Sequence, residues 1–168
     1  MTDNKKNTGM LKWLWLAVVV LVLDQFTKML VVESFVLGER LGVMPMFNLT
    51  LAHNYGAAFS FLAGAGGWQR WFFTFIAIAA STVLTIWLWR LPKDDRWTAV
   101  ALALILGGAL GNLYDRIMLG YVVDFLDFYW EPYHFPAFNV ADSAITVGAF
   151  MIILDIFRQP RRAHAEQK

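Results

Sequence analysis

Four stretches of the chain are apolar almost without interruption, and each is long enough to cross roughly 30 Å of hydrocarbon as a helix. They run approximately over residues 11–32, 68–91, 97–119 and 138–157. The segment after the first has a different pattern. Within it, GVMPMFNLTLAHNYGAAFSFL mixes β-formers (Phe47, Leu49, Leu51, Phe59, Phe61) with the turn signal Asn54–Tyr55–Gly56. The pattern predicts an all-α membrane protein, one domain over residues 1–168, with four transmembrane helices and a small extracytoplasmic β-rich loop subdomain. The loops at 33–67 and 120–137 lie on the same side as that subdomain.

Lysine and arginine set the orientation. Lys5, Lys6 and Lys12 precede the first span. Arg90, Lys93 and Arg96 lie between the second and third, and Arg158, Arg161, Arg162 and Lys168 follow the fourth. The opposite side holds chiefly Arg40 and Arg70. Both termini are therefore expected in the cytoplasm, with the two longer loops outside. The first span has no small-x-small cleavage site before Asp24 and its apolar run resumes after Lys28, so it reads as a retained helix rather than a signal peptide.

The placement of polar residues then carries the argument. Asp24, Gln25 and Lys28 come late in the first span, and Asn112, Asp115 and Arg116 late in the third. Asn139, Asp142 and Ser143 open the fourth, and Asn54 and Asp124 lie in the two outer loops. All meet at one level, the outer membrane–water boundary. An ionised side chain within a span costs about 2.5–3.5 kcal/mol on insertion scales, which makes such residues functional candidates.

Gly108, Asn112 and Arg116 recur every four residues on one helical face, with Gly107, Gly111 and Asp115 on the adjoining stripe. The glycines have two readings: close helix approach, or, for Gly108, close approach of a substrate backbone. Asn139, Asp142, Ser143 and Thr146 also share a face. Simpler roles stand beside the functional ones. Asp24 and Lys28 form an i, i+4 pair that can neutralise itself, Arg116 can snorkel with Asp115 beside it, and Asp155 reads as a boundary charge. Asp127 and Glu131 read as solvated. Asp124, flanked by apolar residues in GYVVDFLDF, is harder to leave in water.

Composition narrows the chemistry. The chain is 58% hydrophobic with a mean hydropathy of +0.50, which fits the membrane class. The absence of cysteine excludes disulfides, a thiol nucleophile and thiolate metal sites. His53, His134 and His164 lack metal-ligand spacing, so no metal is expected. A net charge of +1 without a basic, aromatic-interleaved patch gives no sign of a nucleic-acid partner. The remaining reactive groups are carboxylates, and two of them sharing a site hold one proton between them, which suits peptide hydrolysis. A small transporter or a lipid-binding protein stays open on these grounds, although no repeat symmetry shows.

Five blocks carry a resemblance: DQFTK, NYGAAFS, GGALGNLYDR, VVDF and FNVADSAI. In this order, across nearly the whole chain, they resemble lipoprotein signal peptidase, the bacterial signal peptidase II family of intramembrane aspartyl proteases. The one departure noticed, Thr27 where many members carry Ser, is conservative. The resemblance implies removal of signal peptides from diacylglyceryl-modified prolipoproteins, cut just before the lipidated cysteine, in the bacterial inner membrane. It implies Asp124 and Asp142 as catalytic dyad, and Asn54, Gly56, Gly108, Asn112, Arg116 and Asn139 as the substrate- and inhibitor-binding positions, including those for globomycin. Asp24 matches a structural position, and Lys28 and Asp115 are grouped with it. The resemblance implies no cofactor; the implied partners are prolipoprotein substrates, membrane lipids and globomycin-type inhibitors, and the chain is expected to act as a monomer. From its length and turn signals, the outer loop at 35–67 is expected to cover bound substrate.

Overall fold

The computed structural model describes residues 9–56, 64 and 66–165. A short 3-10 turn, Leu11–Trp13, leads into α1 (Leu14–Ser34), followed by β1 (Arg40–Met44), β2 (Phe47–Asn54), α2 (Gln69–Arg90), α3 (Arg96–Met118), β3 (Val122–Trp130), β4 (Tyr133–His134) and α4 (Val140–Ala165). Among the described residues, four helices have the length and composition to cross a membrane, with mean hydropathy between 1.5 and 1.9.

Helix α3 is the one against which the other three pack. Its small residues explain why. A Cβ on Gly107 would sit 2.6 Å from the Ala17 carbonyl of α1, and one on Gly111 would sit 2.5 Å from Asp24 Oδ2. Gly108 faces α4 instead, where a Cβ would collide with the Ala141 carbonyl and Ile145. Gly148 of α4 returns the favour, with the Ala101 carbonyl 2.6 Å from its Cβ position. Without side chains at these points the backbones come close enough for polar groups on three helices to meet.

Helix α3 starts at Asp95, whose carboxylate accepts the Thr98 N–H at 3.1 Å, a cap worth about 1 kcal/mol. It stops at Gly120, which takes a φ of +90° while its N–H reaches back to the Asp115 carbonyl. That left-handed residue turns the chain directly into β3.

The four strands form one sheet in the order β1–β2–β3–β4, antiparallel throughout. It lies at the bundle end where α1 and α3 finish and α2 and α4 begin. The sheet differs from the expectation in two ways. Its central pair joins β2 to β3, so the second loop, at 120–137, supplies strands as well as the first. The β1–β2 hairpin turns at Pro45–Met46, with Met46 at a φ of +69°, whereas Asn54–Tyr55–Gly56 ends β2. The expected β-formers Phe59 and Phe61, the Ala57–Ser60 part of the NYGAAFS block, and Lys5, Lys6 and Lys168 lie outside the described residues. Val31 of α1 packs with Leu51, Val123 and Phe125 to seat the sheet on the bundle, and Met10, Leu88, Leu91, Ala99 and Leu102 form a second core near the other end.

Asp127 is not solvated as expected. It is 3% exposed and bonded to Asn48 Nδ2 at 3.1 Å and His134 Nδ1 at 2.9 Å, with Arg40 at 3.5 Å. These bonds tie β1, β2, β3 and β4 together. Asp155 is also buried, at 9% exposure, rather than lying at an open boundary.

Candidate active site

Asp124 and Asp142 reach one pocket from two different elements. Its cavity is about 630 Å³, lined by both carboxylates with Asn54, Asn112, Arg116 and His53 on the polar side. Val122, Phe135, Phe138, Ile145 and Val147 make the apolar side. Strand register presents Asp124: it lies opposite Ala52 in the β2–β3 pair, and the small alanine leaves room beside it. Two positions along β2, on the same face, Asn54 donates from Nδ2 to Asp124 Oδ2 at 3.0 Å. The Asn54 Oδ1 meanwhile accepts the Gly56 N–H at 3.0 Å, an Asx turn that fixes the amide.

Helix α4 presents Asp142 in its first turn, where the helix dipole favours negative charge. Asn139 caps that turn, its Oδ1 accepting the Asp142 N–H at 2.9 Å. The same side chain donates from Nδ2 to Asp124 Oδ1 at 2.7 Å. One fully buried asparagine thus holds the backbone of one acid and the carboxylate of the other. Asn112 completes the arrangement, donating from Nδ2 to Asp142 Oδ1 at 2.8 Å. Burial pushes the Asp124 pKa from 3.8 up to about 7, and the nearby Asp142 adds to the rise, against the hydrogen bonds from Asn54 and Asn139. Asp124 is therefore poised to hold a proton near neutrality. Burial also lowers the His53 pKa below 6.5.

Arg116 turns toward the loop as well as the site. Nη1 donates to the Asn112 carbonyl at 3.2 Å and Nη2 to the Gly56 carbonyl at 3.1 Å, while Cζ lies 5.5 Å from the Phe73 ring centre. Gly56 is thus engaged through its backbone, by Asn54 and Arg116 together.

The missing side chain of Gly108 makes room for the Ala141 carbonyl and Ile145 of α4, the close helix approach that is one of its two readings. Asp115 is not an interfacial companion of Arg116 but 1% exposed and ion-paired to Lys28 at 2.9 Å. Lys28 also pairs with Asp24 at 2.8 Å, so the expected i, i+4 pair belongs to a larger cluster. Sequence reasoning did not single out the apolar wall at Phe135–Phe138; the short aromatic run before the fourth span was its only signal. Among the described residues no group of three His, Asp or Glu side chains is disposed to hold a metal ion.

Known proteins match this chain in sequence and in fold. The family model for signal peptidase (SPase) II matches residues 16–158. The chain belongs to the signal peptidase II family. It is similar to the lipoprotein signal peptidase of Shewanella loihica, 54% identical over 166 residues that cover 99% of this chain and 97% of that one. The lipoprotein signal peptidase of Vibrio cholerae is 53% identical, covering 96% and 95%. Two bacterial membrane enzymes solved by the in meso method share the fold. The one at 2.3 Å resolution has a TM-score of 0.77 and 34% identity over 89% of each chain. The one at 1.9 Å has 0.72 and 35%, covering 86% of this chain and 92% of that one. As a signal peptidase II, this chain is a membrane-embedded peptidase.

Proposed function

We propose that this peptidase is an intramembrane aspartyl endopeptidase that removes signal peptides from diacylglyceryl-modified prolipoproteins, cutting just before the lipidated cysteine. The observation that carries the reading is the single pocket lined by both Asp124 and Asp142 at the sheet end of the bundle. Asp142 acts as base and takes a proton from water, whose oxygen attacks the scissile carbonyl carbon. Asp124 gives its proton to the carbonyl oxygen. The tetrahedral diol collapses as the proton on Asp142 passes to the leaving nitrogen and a diol hydroxyl returns its proton to Asp124. Asn54 and Asn139 hold Asp124 while Asn112 holds Asp142, so little reorganisation accompanies the charge movement.

The pocket walls support a lipid-bearing substrate. Ile145, Thr146 and Val147 offer a path along α4 for a signal helix, and the Phe135–Phe138 wall offers apolar contact for acyl chains. The test is processing of a purified, diacylglyceryl-modified prolipoprotein by the purified enzyme. The expected result is one cut before the modified cysteine, blocked by globomycin and unaffected by EDTA. EDTA inhibition that zinc reverses would overturn the two-carboxylate mechanism, and equal cleavage of unmodified precursor would overturn the substrate class.

The proposed setting is the bacterial inner membrane, with both termini cytoplasmic, on the Lys/Arg asymmetry. Periplasm-active reporters fused at Gly64 and at Glu131 are expected to be active, and those fused after the fourth span inactive. The reverse pattern would put the pocket on the wrong side for an exported substrate.

A further inference from the structure

Behind the two carboxylates lies a polar cluster that the reaction scheme leaves unused. Lys28 Nζ is 2.8 Å from Asp24 Oδ2, 2.9 Å from Asp115 Oδ2 and 3.0 Å from Asn112 Oδ1. Lys28 is 3% exposed and Asp24 fully buried. Each partner leads to the dyad by its own route. Asp24 Oδ1 accepts the N–H of Ala141, the residue before Asp142, at 2.9 Å. Asp115 Oδ2 accepts the N–H of Val123, the residue before Asp124, at 3.1 Å. Asn112 places its carbonyl oxygen on the ammonium and so turns its NH₂ to Asp142 Oδ1. The flipped amide would set donor against donor at Lys28 and acceptor against acceptor at Asp142.

We infer that Lys28 is a positioning residue for the dyad: its ammonium fixes the amide orientation of Asn112 and, through Asp24 and Asp115, the helix and strand that carry Asp142 and Asp124. The inference rests on the dyad reading above. Stability alone is a weak reason for such a cluster, because a buried ion pair is often replaced by apolar residues at no loss. The routes converge on the two residues that precede the acids and on the side-chain amide that donates to the Asp142 carboxylate. Gln25 Nε2 braces the cluster by donating to Asp115 Oδ1 at 2.9 Å and to the Gly111 carbonyl at 3.2 Å.

The charged and titratable groups around the dyad come from every packed element. Lys28 and Asp24 come from α1, Asp115 and Arg116 from α3, and His53 from β2, while Arg70 of α2 binds the Arg116 and Ile117 carbonyls. After the hydrogen bonds from Asn54 and Asn139, the charge of Lys28 also opposes the rise of the Asp124 pKa. Its loss moves the proton loss of Asp124, and with it the alkaline limb of the pH–rate profile, upward.

The test is the double variant Asp24→Asn/Lys28→Gln, which removes one charge of each sign and keeps hydrogen-bonding side chains. Gln is one bond shorter than Lys, so its amide stops short of Asn112. The expected result is a melting temperature within about 5 °C of wild type, kcat lower by about tenfold, KM within twofold, and the alkaline limb raised by about half a pH unit. Wild-type kcat with an unmoved profile would overturn the positioning role. A variant that does not fold shifts the test to the wild-type enzyme with ¹⁵N-labelled lysine. There the Lys28 ammonium signal is expected to follow the dyad's titration, and a signal indifferent to it would overturn the role. The dyad reading fails separately, through activity in the Asp124→Asn or Asp142→Asn variant.

Discussion

Asp124→Asn and Asp142→Asn are each expected to lower turnover of a lipidated prolipoprotein by about a thousandfold or more while the protein still inserts and folds. The two acids act as a unit, so removing either removes the shared proton, and effects of this kind are far from additive. The double variant is accordingly expected to be hardly slower than the singles. Asparagine keeps the shape of the side chain and one acceptor, so one of the two bonds from Asn54 and Asn139 survives while the other amide meets a second donor, a local loss that leaves the helix packing in place. Near-wild-type processing by either single variant would remove the dyad.

The same substitution has a pH signature in stability. The folded-state pKa of Asp124, about 7, lies above its ordinary 3.8, so the folded protein binds this proton more tightly than the unfolded chain. The wild type therefore loses stability as pH rises from about 4 through about 7, and no further from this group beyond that. Asparagine cannot ionise. Thermal unfolding of Asp124→Asn, measured relative to wild type at several pH values, is expected to improve across that window and then level off. A difference independent of pH would mean that Asp124 ionises in the fold as easily as in water.

The spans were legible because each is a long apolar run, and a run of that length has one solution in hydrocarbon. The level of the site was legible too, since Asp24, Asn112, Asp142 and their neighbours occupy matching depths. The pairing of β3 with β2 was not. VVDFLDFYW is nearly all apolar apart from its acids, with no clean alternation, because the strand is buried on both faces over Val122–Phe125. Asp127 was misjudged for the same reason: its partners Asn48, His134 and Arg40 lie on other strands, and no local spacing announces them. Gly108 shows a different limit. A glycine row reports that something comes close, and only the packing of α4 reveals that the something is another helix.

Arg116 poses the sharper question, because its charge and its shape predict different results. Arg116→Lys keeps the cation at the same depth and can snorkel as well as arginine, so a purely electrostatic or anchoring role predicts wild-type cleavage. The observed contacts use geometry instead. Two nitrogens of one planar group bind two carbonyls, Asn112 on the same helix and Gly56 beyond the end of β2, and Phe73 lies under the group. Gly56 is held from its other side by Asn54, whose Nδ2 is bonded to Asp124. Releasing the Gly56 carbonyl therefore loosens the amide that holds the acid, at no cost to helix packing. An ammonium on a flexible stem reaches one of these carbonyls but lacks the fork to hold both. Cleavage by Arg116→Lys is expected to fall by about thirtyfold, in kcat more than in KM, because a catalytic group displaced by about 1 Å can lose about a hundredfold. Insertion and melting temperature are expected to stay near wild type. Full activity in this variant would reduce Arg116 to its charge and remove it from the residues that shape the site.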